Sequence, residues 1–239
     1  MPMATITTDT MAESARPPQS GSALLRLLQL SSVSLPVGGF SFSQGLEYAV
    51  EAGWVHNVET TRRFLSEQLR YNLSRVDLPI LARSHAATLA GDAEQLQDCN
   101  NLILACRETR ELRFTDTAMG RALVRLLRSL EMAPPLAADE DISFVTAFAY
   151  AAACWSIPID DTALGFAWAW LENQVAAATK LVPLGQTQAQ QLLGELNPVL
   201  TDAWTLARGI DVDDIGACLP ALAIASCRHE TQYTRLFRS

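Results

Sequence analysis

Segment 160–182 carries apolar side chains on two sides, and no other part of the sequence constrains the fold as strongly. Its first apolar set follows alternating steps of four and three residues: Leu164, Trp168, Leu171, Val175, Ala178 and Val182. Its second set forms another stripe: Phe166, Trp170, Ala177 and Leu181. A helix that is apolar nearly all round lies at the centre of a protein, enclosed by other elements. We therefore predict a central helix over 160–182.

Helical periodicity recurs along most of the chain, and no segment shows the alternation typical of a strand. Residues that cap helices, mainly Asn and Asp, separate the periods. The other predicted helices run from Ser41 or Ser43 to Gly53 and over 57–73, 77–90, 92–106, 116–130, 141–155, 187–208 and 213–227. We expect Pro198 to kink or break the helix over 187–208, because it removes one backbone donor. These patterns predict an all-α protein, a single compact domain of about eight to ten helices.

Differences in composition divide the chain into three parts. Residues 1–21 are rich in Thr, Ser and Pro and lack the apolar core of a signal peptide, so we predict a disordered N-terminal segment. Residues 22–227 form the helical domain, with a proline-bearing loop over 131–141 between its two halves. Residues 228–239 form a C-terminal tail. The nearly uncharged run 142–159 is dominated by alanine and closes with Pro158, which favours a buried helix over a membrane span.

Charge and cysteine content exclude several classes of protein. A net charge of -8 and a pI near 4.9 argue against general nucleic-acid binding, which needs a basic surface. The five cysteines are an odd number and include no C-x-x-C pair, which argues against a disulfide framework and a zinc site. We therefore expect reduced, mostly buried thiols and a cytoplasmic protein.

The stretch SLPVGGFSFSQGLEYAVEAG, residues 34–53, contains a Gly-Gly pair of the kind found in phosphate-binding loops. Gly38 and Gly39 are not followed by Gly-Lys-Ser/Thr, the residues that reach the terminal phosphates and hold magnesium. The whole chain has one lysine, Lys180. We therefore predict a flexible turn that leads into a helix.

Catalytic constellations are hard to assemble from the titratable residues. His56, His85 and His229 have none of the spacings that set two metal ligands on one helix face. Cys99 and Cys106 would share a helix face, where two thiols more commonly fill a core. The carboxylate pairs at 160–161 and 213–214 stand at predicted helix starts, where capping explains them. We predict no catalytic residue, no metal site and no cofactor.

Arginines are concentrated around the predicted helix 116–130. On an uninterrupted helix five of them would fall within about 60° of one another, at 100° per residue: Arg107, Arg110, Arg121, Arg125 and Arg128. This stripe depends on the helix continuing through Thr115 and Asp116. It is either a solvated face opposite apolar residues or a basic ridge that binds an acidic partner.

The tail, RHETQYTRLFRS, combines basic and apolar side chains. Its candidate partner-binding residues are Arg228, Tyr233, Arg235, Leu236, Phe237 and Arg238. Such a segment either frays or becomes ordered when it docks into a partner. We expect it to be mobile in the free protein.

Four stretches together resemble the urease accessory protein F (UreF) family: SLPVGGFSFSQGLEYAVEAGWV, LILACRETRELR, KLVPLGQ and AIASCRHETQYTRLFRS. The resemblance extends from about Leu24 to Ser239. It implies an all-helical, dimeric chaperone without chemistry of its own. It also implies binding to the urease accessory protein D (also called H), recruitment of the GTPase accessory protein G, and delivery of nickel to apo-urease. The alternatives are a helical interaction scaffold unrelated to metal delivery and, more distantly, a helical hydrolase.

Lys180 lies where the UreF family places a basic residue in its K-L-V-P-F/L-G-Q motif, a position that the resemblance links to control of the GTPase. A lone lysine on a mostly apolar helix is costly to bury unless it is paired. Glu172 is eight residues away, about 12 Å along an ideal helix, and is no obvious partner. Lys180 is therefore either a member of a structural ion pair or a functional contact.

Overall fold

A computed structural model describes residues 21–136, 141–217 and 219–239, and most of these residues lie in packed α-helices. The helices within these ranges are α1 (Gly21–Leu30), α2 (Leu46–Glu51), α3 (Val58–Gln68), α4 (Leu78–Ala90), α5 (Ala93–Ala105), α6 (Arg110–Ser129), α7 (Phe144–Cys154), α8 (Ile159–Leu181), α9 (Gln186–Ala207) and α10 (Pro220–His229). The described residues contain no strand. The all-α prediction is confirmed. Of the predicted N-terminal segment, residues 1–20 lie outside the described residues, and Gly21 begins α1.

The most enclosed helix is α7, not the predicted central helix α8. Seven residues of α7 are almost completely shielded from solvent: Val145, Thr146, Ala147, Phe148, Ala149, Ala151 and Ala152. Its alanines let α4 and α6 pack closely against it. On α8 both apolar sets are only partly buried, because Trp168 of the first set and Trp170 of the second lie at the edge of the core. The run 142–159 is therefore a buried helix as predicted, and no helix of the described chain has the length and apolar character to cross a membrane.

The predicted break between the helices 57–73 and 77–90 does not occur. Asn57 caps α3 by accepting a hydrogen bond from Thr60 N, as expected. A π-helical segment, Leu69–Asp77, then joins α3 directly to α4. Leu78 N donates to Leu73 O across this junction. Asp77 does not cap α4, because its carboxylate pairs with Arg107 instead.

Three other predicted helix starts are wrong. α2 begins at Leu46 after Gly45, with no side-chain cap from Ser41 or Ser43. α6 begins at Arg110, six residues earlier than predicted, because Thr109 accepts a hydrogen bond from Leu112 N. α10 begins at Pro220 instead of residue 213, since residues 212–214 form only a short 3-10 turn.

Pro198 does not break α9, which runs from Gln186 to Ala207. Proline leaves the carbonyl four residues earlier without its usual donor. That carbonyl belongs to Gly194, and both residues lie on the exposed side of α9. Water can therefore satisfy the carbonyl, and the helix continues.

Candidate partner-binding site

The tail, residues 228–239, lies against the helical domain. Its first two residues belong to α10, and the rest turns back towards the loop before α2. Arg238 N donates to Ser41 O at 2.8 Å, and Gln44 N donates to Ser239 O at 3.3 Å. The tail, which we expected to be mobile, is therefore docked on its own domain.

Phe237 anchors the tail in a small apolar cluster separate from the main core. Its side chain is 5% exposed. The other buried members come from α2, the end of α8 and the adjoining loops: Leu46, Ala49, Val55, Ala177, Ala178, Val182 and Leu184. Burying a phenylalanine side chain contributes about 1.5–3 kcal/mol. Phe237 is thus occupied within the chain and is not a free anchor for a partner.

Glu47 holds the backbone of the tail. Its carboxylate accepts hydrogen bonds from Leu236 N at 2.6 Å and from Phe237 N at 2.9 Å. Glu47 reaches this position because Gly45, with φ of 84°, turns the chain sharply into α2. A Cβ at position 45 would also lie 3.1 Å from the Leu222 side chain of α10. The segment after Gly38 and Gly39 therefore does more than form the predicted turn. Through Gly45 and Glu47 it forms the seat of the tail, the place where the tail backbone is bound.

A buried histidine joins the tail, α2 and α6. His229 is fully enclosed, and its Nε2 lies 2.9 Å from Glu47 Oε2. Its Nδ1 lies 3.0 Å and 3.1 Å from the two carboxylate oxygens of Glu111. Burial raises the pKa of Glu111, and its contacts with His229 oppose this shift. Arg235 of the tail approaches the same carboxylate at 3.5 Å.

Lys180 also meets the tail. Its Nζ lies 5.4 Å from the centre of the Phe237 ring, within the range of a cation–π interaction. Lys180 is exposed in the last turn of α8, where a positive charge complements the helix dipole. No carboxylate among the described residues pairs with it. The structure therefore gives no support to the structural ion pair.

The outward side of the docked tail is exposed and chemically mixed. Tyr233 and Leu236 are 103% and 63% exposed. Arg228, Arg235 and Arg238 are exposed beside them. Phe40, 60% exposed, precedes the Ser41 carbonyl that Arg238 N contacts. Exposed aromatic and arginine side chains are the types that contribute most to protein interfaces.

Sequence comparison decides the family. The family model for UreF matches residues 55–197. The chain belongs to the UreF family. A urease accessory protein UreF of Marinomonas sp. (strain MWYL1) is 54% identical over 237 residues, which cover 99% of this chain and 100% of that protein. A UreF of Alkalilimnicola ehrlichii is 47% identical, covering 92% of this chain and 97% of that protein. A UreF of Chromohalobacter salexigens is 49% identical, covering 91% and 95%.

These comparisons confirm the predicted family resemblance. The match to the UreF model includes neither Glu47, which lies before it, nor the tail, which lies after it. The alignment with the Marinomonas UreF covers nearly all of the chain. Membership of the UreF family also favours a urease accessory protein over the unrelated helical scaffold.

The predicted arginine ridge of this UreF is only partly assembled. Arg107 is not on α6, because it lies in the turn before that helix. Its side chain, 12% exposed, pairs with Asp77 at 2.8 Å and Asp116 at 3.0 Å. The remaining members share the exposed side of α6: Arg110, Arg121, Arg125 and Arg128. Arg121 binds Asp141. The ridge thus loses one member to the interior.

Cysteine burial also differs from expectation. Cys99 is buried and Cys106 is half-buried, but Cys154 and Cys227 are exposed. The prediction of mostly buried thiols is therefore wrong for two of the four described cysteines. Nowhere in the described ranges do three or more His, Cys, Asp or Glu side chains form a group that could hold a metal ion.

Proposed function

We propose that this protein is a urease accessory chaperone that works by binding other proteins and performs no chemistry itself. The observation that carries the proposal is the docked tail, whose outward side displays Tyr233 and Leu236 among arginines. Family membership supplies the process, because the relatives are named urease accessory proteins. The partner-binding surface is formed by Tyr233, Leu236, Arg228, Arg235 and Arg238.

The partner of this surface is the accessory protein D/H, and the pair recruits the GTPase accessory protein G. The complete assembly delivers nickel to apo-urease in a GTP-dependent step, in the cytoplasm. Nickel is cargo in this scheme, and the chain needs no cofactor of its own.

The protein acts as a homodimer. Three exposed apolar side chains of α1 support this proposal: Leu24, Leu25 and Leu28. A monomer mass by light scattering across micromolar concentrations would contradict the dimer.

The decisive variant changes the outward side of the tail and leaves its seat intact. Removing residues 228–239 is a poor test, because Phe237 fills a buried cluster and residues 228 and 229 belong to α10. Tyr233→Ala/Leu236→Ala keeps Phe237 and the backbone bonds to Glu47. We expect binding to the D/H protein to weaken by about 30-fold, the equivalent of one interface hot spot of ~2 kcal/mol.

Calorimetric titration of the purified D/H protein measures this loss. The matched control is Tyr71→Ala/Leu89→Ala, which removes two apolar side chains that are 50% and 66% exposed elsewhere on the surface. This control should bind like the original protein. Equal affinity of both variants would remove the tail from the interface.

Lys180 is proposed to act in the assembly and to contribute little to the fold. Lys180→Ala removes one exposed cation–π interaction, so the free energy of unfolding measured in urea should fall by only about 0.5–1 kcal/mol. We expect urease activation in vitro to fall by more than this loss of stability explains. Lys180→Arg keeps the charge over Phe237 and should retain most of the activation. An unfolded Lys180→Ala variant, or one with full activation, would refute the functional role.

A further inference from the structure

We propose that Glu47, His229 and Glu111 form a proton-dependent clasp that holds the tail in the conformation presented to the partner. The three side chains are positioning residues, since none of them reaches the outer surface. The proposal rests on the function above only for its second part, the link to partner binding. Its first part concerns the free protein.

The contacts of His229 require one proton more than a neutral imidazole and two carboxylates carry. A neutral imidazole has one N–H group and can donate to only one neighbour. Here both ring nitrogens face carboxylate oxygens, at 2.9 Å to Glu47 and 3.0 Å to Glu111. The extra proton sits either on the imidazole or on Glu111, and the pair shares it as a unit. Without this proton, a nitrogen lone pair would face a buried carboxylate.

The charges around His229 favour keeping that proton. Glu47 of α2 and Glu111 of α6 are both carboxyl groups with side chains only 7% and 9% exposed. Glu230, the next residue in the chain, further raises the pKa of Glu111, and Arg235 acts in the opposite direction. Lys180 of α8 faces the Phe237 ring. Burial raises the pKa of Glu111, so burial and the contacts of His229 with two carboxyl groups both favour retention of the proton.

The same proton couples the cluster to the tail. Glu47 Oε2 contacts both His229 Nε2 and Phe237 N, and Glu47 Oε1 accepts from Leu236 N. Loss of the proton leaves two buried negative groups around a neutral ring, and water relieves this repulsion only when the tail lifts away. Binding of this proton therefore stabilises the docked, ordered conformation of the tail.

The direction of the pH dependence follows from this coupling. The docked state binds the proton more tightly than the undocked state, because burial between the two carboxylates raises the pKa of Glu111 and is lost when the tail undocks. A pKa that is higher in the docked state means that the contribution to docking is complete at low pH and is lost as the pH rises. Where the docked state holds the proton and the undocked state does not, one linked proton changes the docking equilibrium by about tenfold per pH unit.

Amide hydrogen exchange of the free protein tests the clasp. The amides of Leu236 and Phe237 donate to Glu47, so their protection factors report docking directly. We expect these protection factors to fall by about tenfold or more between pH 6 and pH 9, whereas the amide of Phe148 in α7 stays protected. His229→Gln should lower the tail protection at pH 6 and remove its pH dependence. The matched control is His56→Gln, because His56 is exposed.

The outcomes separate the clasp from the proposed function. Tail protection that changes less than twofold across this pH range overturns the clasp, as does an unchanged pH profile in His229→Gln. The original protein decides the question alone if that variant does not fold. In a second arm, the affinity for the D/H protein should fall with the same pH profile. If that protein does not bind at any pH, the proposed function fails, and the exchange data still decide whether the clasp exists.

Discussion

Arg107→Met should lower the free energy of unfolding by about 3–5 kcal/mol, the usual cost of removing one partner from a buried ion pair. The Arg107 guanidinium lies between Asp77, the last residue of the π-helical segment, and Asp116 of α6. Burial lowers the pKa of Arg107, but the two carboxylates outweigh it and hold that pKa above its ordinary range. Methionine fills a similar space and leaves both carboxylates without their counter-ion.

Urea unfolding measures this effect, with Arg128→Met as the matched control. Arg128 is exposed near the end of α6, so its replacement should change stability by less than about 0.5 kcal/mol. Adding Asp77→Asn to Arg107→Met should recover part of the loss, because one of the unpaired charges disappears. A loss below about 1 kcal/mol for Arg107→Met would show that water compensates the carboxylates.

Gly120→Ala should destabilise the domain by about 3 kcal/mol or more, because an added methyl group meets backbone that cannot move aside. A Cβ at position 120 of α6 would lie 2.0 Å from the carbonyl oxygen of Ile142. The added methyl group would displace the loop before α7, and this loop contains Ser143, whose hydroxyl donates to Asp116 at 2.8 Å. The substitution therefore disturbs both the packing of α6 on α7 and the ion pairs of Arg107.

The control for this variant has the opposite expected sign. Gly194→Ala places a methyl group on the exposed side of α9, with no atom within 4 Å. Alanine favours a helix over glycine by about 0.5–1 kcal/mol, so this variant should be slightly more stable. Thermal unfolding of both variants compares them directly. A Gly120→Ala protein as stable as the original would mean that the segment before α7 shifts freely.

Local patterns predicted the helices well and their partners poorly. Asn57 and Asp92 act as caps because capping depends only on residues three positions away. The exposed and buried sides of α8 were harder to assign, since Trp168 and Trp170 are apolar in sequence but lie at the edge of the core. An apolar pattern shows which side chains can be buried and leaves open how far neighbouring helices cover them.

The residues that organise the site had no local signal at all. Nothing in the sequence around Glu47 points to its partner Phe237, which is 190 residues away. His229 has the same difficulty, because its carboxylate partners lie 118 and 182 residues earlier in the chain. Arg107 seemed to continue a stripe on α6, and only the position of the cap Thr109 excludes it. Such contacts depend on topology, which single-sequence periodicity does not contain.

The seat of the tail also has a consequence for biosynthesis. Glu47 and Leu236, which it binds, are 189 residues apart. At typical translation rates of about 5–20 residues per second, roughly 10–40 s pass between the synthesis of Glu47 and that of Leu236. The other helices can already pack during that interval, but the surface that displays Tyr233 and Leu236 does not yet exist. A ribosome-bound chain therefore cannot display this surface before residues 228–239 have emerged.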